Sequence, residues 1–564
     1  MTANKHILIE NVMPSVDGGR YAAKAIAGEL CVVQADIFRD GHEPIKAKLH
    51  WRKEGGVWAE ALMADLTNDL WQASFPLGDP GKYEFFVSSW TEGEPEEKSI
   101  TYPLVVDRPL ARFGAWYELF VRSQGADPAK SGTFRDAQAR LADIRGMGFD
   151  VVYLAPIHPI GRTARKGPNN ALKAGPNDPG SPWAIGNENG GHDAIEPALG
   201  TLADFDAFVS AARALGMEVA LDFAPHCSPD HPWVKRHPDW FYHRPDGTIK
   251  CHENPPYVYE DVYPLNFDAP SHDALYAALR DVFLFWIGHG VKIFRVDNPH
   301  TKPVAFWEWV IADVKKKHPD VFFLGEAFTR PKMMKALSKA GFSQSYTYFI
   351  WRTTKYELTE YLTELVAPEM VAYFRPNFFP TTPDVLPKNL QSAGRAAFEI
   401  RAALAATLSP SYGIVNGYEL LEDSALPGVE EYADSEKYQI RVRDWNKPGH
   451  IKETIRKLNR LRNENPALQA VDNVTFLTTD NEHVLAYVKM TPDRSNGLVI
   501  AVNLDPHRSQ EATVQIPMDK LAFSWENGFD AQDLISNAPF HFFKSTHLRI
   551  DPAGPPFRIF QIQR

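Results

Sequence analysis

Hydrophobic and polar positions alternate with a period of two near both ends of the chain, and change rhythm between them. Leu30–Phe38, Ile45–Trp51, Trp71–Phe75 and Tyr83–Trp90 read as short strands, with Gly78-Asp-Pro-Gly81 as a turn between the last two. Strands at this spacing predict an antiparallel β-sandwich over residues 1–106. Trp51, Trp58, Trp71 and Trp90 fall in it, and either core packing or glycan stacking would account for them. After about residue 465 the alternation returns at Val474–Leu477, Val484–Lys489, Gly497–Asn503 and Phe557–Ile562. That predicts a second β-sandwich over 465–564.

From about residue 107 to 464 the rhythm is strand, then helix, repeated. Strands are expected at Ala115–Phe120, Phe149–Leu154, Met217–Phe223, Val291–Val296, Val321–Glu326, Ser343–Tyr348, Met370–Phe374 and Gly413–Asn416. Helices are expected at Thr133–Met147, Thr201–Leu215, Asp273–His289, Val304–Lys317, Pro331–Ala340, Lys355–Leu365 and Gln391–Ala406. Thr201 reads as an N-cap, with Asp204 in the first turn. Some eight β/α units make this an α/β segment, for which a closed (β/α)₈ TIM barrel is the economical architecture. A doubly wound open sheet is the alternative, but no Gly-rich phosphate loop follows the first strand. Two connections, Pro156–Pro197 and Ala224–Asn266, are long and follow strand ends, where a barrel builds its active site.

Composition narrows the function classes. The 564 residues are 44% hydrophobic and 23% charged, ordinary for a large globular chain. Net charge is −11, which argues against non-specific binding to nucleic acid or an anionic membrane. No apolar run approaches the ~20 residues of a membrane helix. Cys31, Cys227 and Cys251 are an odd number at no metal-ligand spacing and suit a reducing compartment. The N-terminal residues carry no signal-peptide pattern, so a cytoplasmic home is expected.

Candidate chemistry sits at the strand ends. Arg295 and Asp297 lie two apart, so they project to the same side of one strand. Alone, this pattern is more often a structural ion pair closing a strand, since charged strand ends are common. Glu326 ends the next strand and Asp384 follows a later one. Two carboxylates facing one pocket can divide glycosidic chemistry: one attacks the anomeric carbon, the other protonates the leaving oxygen. Arg295 would keep Asp297 ionised, and Glu326, in a more apolar setting, would stay protonated.

Longer motifs carry a resemblance. Phe294–Pro303, Leu324–Pro331 and Gln344–Phe349 resemble the α-amylase superfamily, glycoside hydrolase family 13. Within it they are most similar to the bacterial maltosyltransferases that extend α-1,4-glucan from maltose 1-phosphate. Phe113–Phe120, Pro156–Gly161, Arg165–Gly167, Gly190–Asp193, Cys227–Trp233, Arg375–Phe379 and Asp434–Gln439 extend the similarity through the barrel. The resemblance implies a retaining enzyme with Asp297 as nucleophile, Glu326 as general acid/base, Asp384 as transition-state stabiliser and Arg295 as the group orienting Asp297. It implies that His192, Asp193 and Asp222 line the innermost sugar subsite. Asn254, Tyr259 and Asn298 would hold a donor phosphate. Lys166 and Lys437 would contact the donor sugar, with His226, Tyr257 and Tyr438 also in the substrate region. No cofactor and no metal is implied. The partners expected are an α-glucan or malto-oligosaccharide acceptor and a maltose 1-phosphate donor.

The chain departs from the family at several points. The family reads Asn-Pro-Pro-Lys-Lys-Tyr where this chain has Asn254-Pro-Pro-Tyr-Val-Tyr259, so Tyr257 replaces a phosphate-contacting lysine. A phenol donates one hydrogen bond but cannot neutralise a dianion. His226 stands for the family's glutamine, and Asn187 for a serine near the phosphate. The family's helical insert before the first barrel strand is missing, since Tyr102–Asp107 runs almost directly into Phe113; a monomer is therefore expected. Three readings stay open: transfer from a phosphorylated donor, phosphate-independent hydrolysis or 4-α-glucan transfer, and an inactive glycan-binding scaffold.

Overall fold

The computed structural model describes residues 5–254, 257–524 and 526–563, and the side chains of Asn254 and Tyr257 lie outside that description. Eight strands form the central sheet: β1 Gly114–Leu119, β2 Val151–Leu154, β3 Glu218–Phe223, β4 Ile293–Val296, β5 Phe322–Gly325, β6 Gln344–Ser345, β7 Asn377–Phe378 and β8 Ser411–Val415. Sequential neighbours from β1 to β6 pair in parallel, as do β7 with β8 and β8 with β1. The remaining gap between β6 and β7 is closed by a parallel bridge, Ser345 to Pro376. Almost every strand residue is buried, as expected of a sheet covered on both faces.

Each strand feeds a helix. Those at Phe134–Gly146, Leu202–Ala214 and Lys355–Leu365 start in full capping boxes, Thr133 with Asp136, Thr201 with Asp204 and Thr354 with Glu357. The eighth helix, Lys452–Glu464, is not predicted from the sequence. Its apolar stripe, Ile455, Leu458 and Leu461, has helical spacing, and beside it the buried Arg462 donates to the carbonyls of Ala406, Ser409 and Pro410. One predicted strand is wrong. Residues 370–374 lie at a short helix, Pro368–Val371, and the strand comes later at Asn377–Phe378. Pro368 presets the first helical turn, and a five-residue apolar run carries no period that separates helix from strand.

The N-terminal segment is a sandwich of a four-stranded and a six-stranded sheet. It departs from a purely antiparallel arrangement in one pair, Tyr102–Asp107 beside Ala23–Ile26. Trp71 is buried with its indole N–H on the Ile37 carbonyl, and Trp51 stacks on Phe75. Trp58 and Trp90 are half-buried beneath Arg52 and Lys48. In the C-terminal segment, Val474–Thr479 pairs first with Val484–Met490 and then with Gln510–Gln515. That switch folds eight strands around their own apolar core. A larger core runs without interruption from the N-terminal sandwich through the barrel helices into the C-terminal sheet. At the first junction, buried Asp107 pairs with both Lys315 and Arg375.

Candidate active site

The rim at the carboxyl ends of β3, β4 and β5 brings the acids together. Asp297 N donates to Phe223 O and Glu326 N to Val296 O, both at 2.9 Å, so the ladder runs one residue past each strand and fixes the carboxylate that follows. Arg295 projects to the same side as Asp297, as the alternation requires. Its guanidinium bridges three carboxylates, at 2.8 Å to Asp222, 3.1 Å to Asp297 and 2.7 Å to Glu326. The rings of Tyr153 and Tyr346 flank it, each 5.8 Å from the guanidinium carbon, and Tyr153 donates its hydroxyl to Asp222. All four charged groups are buried.

One positive charge cannot neutralise three negative ones at low dielectric, so a proton is retained within the cluster. Burial works against ionisation of Asp297, but Arg295, with His226, Lys302 and Lys437, overrides it and holds this carboxyl well below the usual range. Glu326 goes the other way. Burial raises it, Arg295 offsets only part, and the charges of Asp297, Asp384 and Asp222 leave it well above the ordinary value. Burial likewise pushes Asp222 up to about 7, against Arg295. An ionised Asp297 beside a protonated Glu326 is the split expected, and burial is the larger cause at Glu326, with the neighbouring carboxylates adding to it.

The turn after β4 is left-handed at Asn298, with φ 40° and ψ 53°, a conformation asparagine tolerates better than branched residues. It turns the Asn298 N–H toward Glu326, at 3.3 Å, and stops the strand at Pro299. Asp384 stands at the rim with 40% of its side chain exposed and accepts from Lys437.

Two cavities meet at these groups. The inner one, about 50 Å³, is lined by Lys166, His226, Tyr259, Asp297, Asn298, Asp384, Lys437 and Tyr438. The outer one, about 310 Å³, shares Tyr259, Asn298, Asp384, Lys437 and Tyr438 with it and adds Glu326. Lys166 is buried and paired with Glu260. His226 donates its Nε2–H to Trp183 O and leaves Nδ1 3.9 Å from Asp297; burial pushes its pKa down to about 3. Burial raises Tyr259 to about 12, which keeps it a hydroxyl donor.

Several expected residues are elsewhere. Asp222 lies beneath Arg295, at the floor of the acids rather than in either cavity wall. Asp193 is exposed. His192 is buried behind the site, with Nε2–H on Ala224 O at 2.8 Å and Nδ1 accepting from His231 Nε2 at 3.2 Å. His231 Nδ1 in turn accepts from Trp233 N. His192, Cys227 and His231 place ligand atoms within 4.8 Å of one another, yet this relay occupies the lone pairs a cation would need. Gly186 and Gly191 press on His231; a Cβ at either would meet the ring at 2.2 Å. The Gly190–Asp193 motif thus packs a wall of the barrel. Asn187 spends its amide on Ile160 O and Asn189 N, away from the cavities. Asn254 and Tyr257, as candidate phosphate contacts, fall outside the described side chains.

The sequence reading does not single out Lys302, His252, Trp183 or Asp261. Lys302 is buried near Asp297, with its pKa lowered to about 8 by burial against the pull of that carboxylate. It lies in the same Phe294–Pro303 motif, and the Asn298-Pro299 turn was the available signal that its side chain returns toward the nucleophile. Trp183, His252 and Asp261 come from the two long loops and line the inner cavity. Loop length marked the region without marking the residues.

Comparison with known proteins agrees with this architecture. Residues 5–93 match a family model described as α-1,4-glucan:maltose-1-phosphate maltosyltransferase, domain N/S. Residues 118–364 match the α-amylase catalytic domain, and 476–562 the model GLGE, C-terminal. An α-1,4-glucan:maltose-1-phosphate maltosyltransferase from Rhodospirillum rubrum is 45% identical over 652 residues, covering 99% of this chain and 95% of the relative. One of the same name from Chlorobaculum tepidum is 43% identical over 646 residues, covering 99% and 96%. Both aligned spans exceed 564 residues, so each relative carries segments with no counterpart here. Among solved structures, an α-amylase from Lactobacillus plantarum superposes with TM-score 0.62 at 23% identity, over 80% of this chain and 99% of its own. The α-amylase of Geobacillus thermoleovorans, complexed with acarbose, gives 0.62 at 18%, over 80% and 98%. These two share the fold.

Proposed function

The chain belongs to the α-1,4-glucan:maltose-1-phosphate maltosyltransferases of the α-amylase superfamily, and from that premise we propose that it moves maltosyl units from maltose 1-phosphate to an α-1,4-glucan by double displacement. The observation that carries the proposal is the guanidinium of Arg295 shared among Asp222, Asp297 and Glu326. It supplies an ionised nucleophile and a protonated acid on adjacent strands.

In the first step an Asp297 oxygen attacks the anomeric carbon. The bond from that carbon to the phosphate oxygen breaks, Glu326 gives its proton to the departing oxygen, and a β-linked maltosyl ester forms. In the second step Glu326, now a carboxylate, takes the proton of an acceptor hydroxyl. That oxygen attacks the same carbon, the ester bond breaks and the α-configuration is restored. Asp384, tied to Lys437, grips hydroxyls of the reacting sugar. Asn298 and Tyr259 offer neutral donors to the leaving phosphate, with Lys302 as a buried cation near the nucleophile. Lys166 and Tyr438 contact the donor disaccharide.

The test is phosphate release together with product length. Maltose 1-phosphate plus maltohexaose is expected to yield inorganic phosphate and oligosaccharides lengthened two glucose units at a time. Disproportionation of unphosphorylated maltohexaose with no use of the phosphate ester would instead give the phosphate-independent reading, and no turnover of either would give the scaffold. In this reading the chain is also a monomer, which light scattering checks: a dimer's mass would overturn it. A cytoplasmic location suits its three unpaired cysteines. Among the described residues no helix is long and apolar enough to cross a membrane.

A further inference from the structure

A cavity of about 280 Å³ lies where the barrel meets the C-terminal sandwich, and it shares no lining residue with the two cavities at the acids. The barrel side is the turn 388–393 and the helix Gly394–Leu408 that follows it. The C-terminal side is the connection 504–507, between the strands Gly497–Asn503 and Gln510–Gln515. Its charged side chains have one sign. Lys388 and Arg401 line it together with the imidazole of His507, and among the described residues no Asp or Glu does. Lys388 and His507 are exposed, whereas Arg401 is 2% exposed. The terminal nitrogens of Arg401 donate to Phe349 O and Arg352 O, and its Nε–H has no partner. A guanidinium buried among carbonyls, with no carboxylate beside it, leaves a positive charge to be answered. The acids of the neighbourhood are turned to other donors. Glu357 accepts from the N–H groups of Thr353 and Thr354, Glu430 from Lys388 N and the Trp351 indole, and Asp505 from His507 N and the Gln510 amide.

The backbone adds donors of the same sign. Ser392 and Gly394 are left-handed, at φ 53° and 73°, and Ala393 between them is right-handed at φ −93°. Alternating hands turn successive N–H groups to one side, the concave arrangement that cradles oxyanions. The 15-residue helix Gly394–Leu408 begins at this turn with no side-chain cap and no acid in its first turn, so the positive end of its dipole stands unanswered at the cavity wall. Asn389 also lines the cavity, and its Oδ1 is buried without a partner, an acceptor suited to a ligand hydroxyl.

We infer that this cavity binds a phosphate group, bridging Lys388 and Arg401 of the barrel and His507 of the C-terminal sandwich. Inorganic phosphate and a hexose phosphate both carry that group. Calorimetric titration of the full chain with inorganic phosphate is expected to show binding that Lys388→Ala/His507→Ala weakens by about tenfold or more, the worth of a lost charge-assisted contact. Phosphate held beside the acids is the same in both proteins, so the difference reports this cavity. Both substituted side chains are exposed, and an unchanged melting midpoint without phosphate checks that the variant is folded. Crystals soaked in tungstate should show an anomalous peak among Lys388, Arg401 and His507. Phosphate binding equal in the wild type and the folded variant would overturn the inference, as would tungstate found only beside the acids. Glucose 6-phosphate separates the two sources. Binding tighter than that of inorganic phosphate, with the gain lost in Asn389→Leu, assigns a sugar phosphate, and equal binding assigns the phosphate group alone. A chain that ignores maltose 1-phosphate as a donor yet loses phosphate binding in the double variant would end the transfer reading and leave this site standing.

Discussion

A single arginine decides the protonation pattern of the acids. Arg295 touches Asp222, Asp297 and Glu326 at once, so the three titrate as a set. Glu326 is raised by burial and by its carboxylate neighbours, and must be protonated when phosphate leaves. Turnover should therefore fall at alkaline pH as Glu326 ionises. Its acid limb should lie far below neutrality, because Asp297 is held low. Glu326→Gln should lower kcat by about 10²–10⁴-fold and abolish the alkaline limb that Glu326 sets. It should also raise the thermal midpoint at neutral pH, since it removes a strained acid from a crowded buried cluster. A pH–rate profile and a melting curve on one variant check both signs. At this scale the sequence was partly readable. The i, i+2 spacing put Arg295 and Asp297 on one side, but nothing local showed that Glu326 would share the guanidinium. That contact joins adjacent strands separated by a helix.

Short elements around the rim do two kinds of work that a motif alone does not distinguish. Gly190-Gly-His-Asp193 belongs to the family resemblance, and its histidine was expected against sugar. In the fold the motif seats His192 against His231 and leaves no room for a side chain at Gly191. Gly191→Ala should thus destabilise the chain by about 1–3 kcal/mol through overpacking. Because the relay stands behind the site, calorimetry should record that loss while the acceptor KM is preserved. The Asn298 turn, by contrast, acts on the chemistry directly. Most barrel strands and capped helices were legible because period and cap residues agree over a dozen positions. Residues 370–374 were not, because five residues are too short to show a period. The helix Lys452–Glu464 is absent from the predicted elements although Ile455, Leu458 and Leu461 give it a legible apolar stripe.

The three parts of the molecule share a core, and charge helps to lock them. Asp107, at the end of the N-terminal sandwich, pairs with Lys315 and Arg375 of the barrel. Burial alone would raise its pKa, but these two cations bring it down to about 2. Since the folded value lies below the unfolded one, this pairing stabilises the fold fully above about pH 4. The contribution is lost as pH falls toward 2. Asp107→Ala leaves two cations without a counter-charge in a buried junction and should cost about 3–5 kcal/mol, with a correspondingly weaker acid dependence of unfolding. None of this was readable from alternation, which predicts sandwiches and a barrel as separate units and says nothing of how they dock.

The most direct test of the whole account is the covalent intermediate. Glu326→Gln protein incubated with maltose 1-phosphate, quenched and digested, should carry one maltosyl group on the peptide containing Asp297, by mass spectrometry. An adduct on Glu326's peptide, Asp384's peptide or any other site would contradict the account. So would an Asp297→Ala enzyme that still transfers maltosyl units at the wild-type rate.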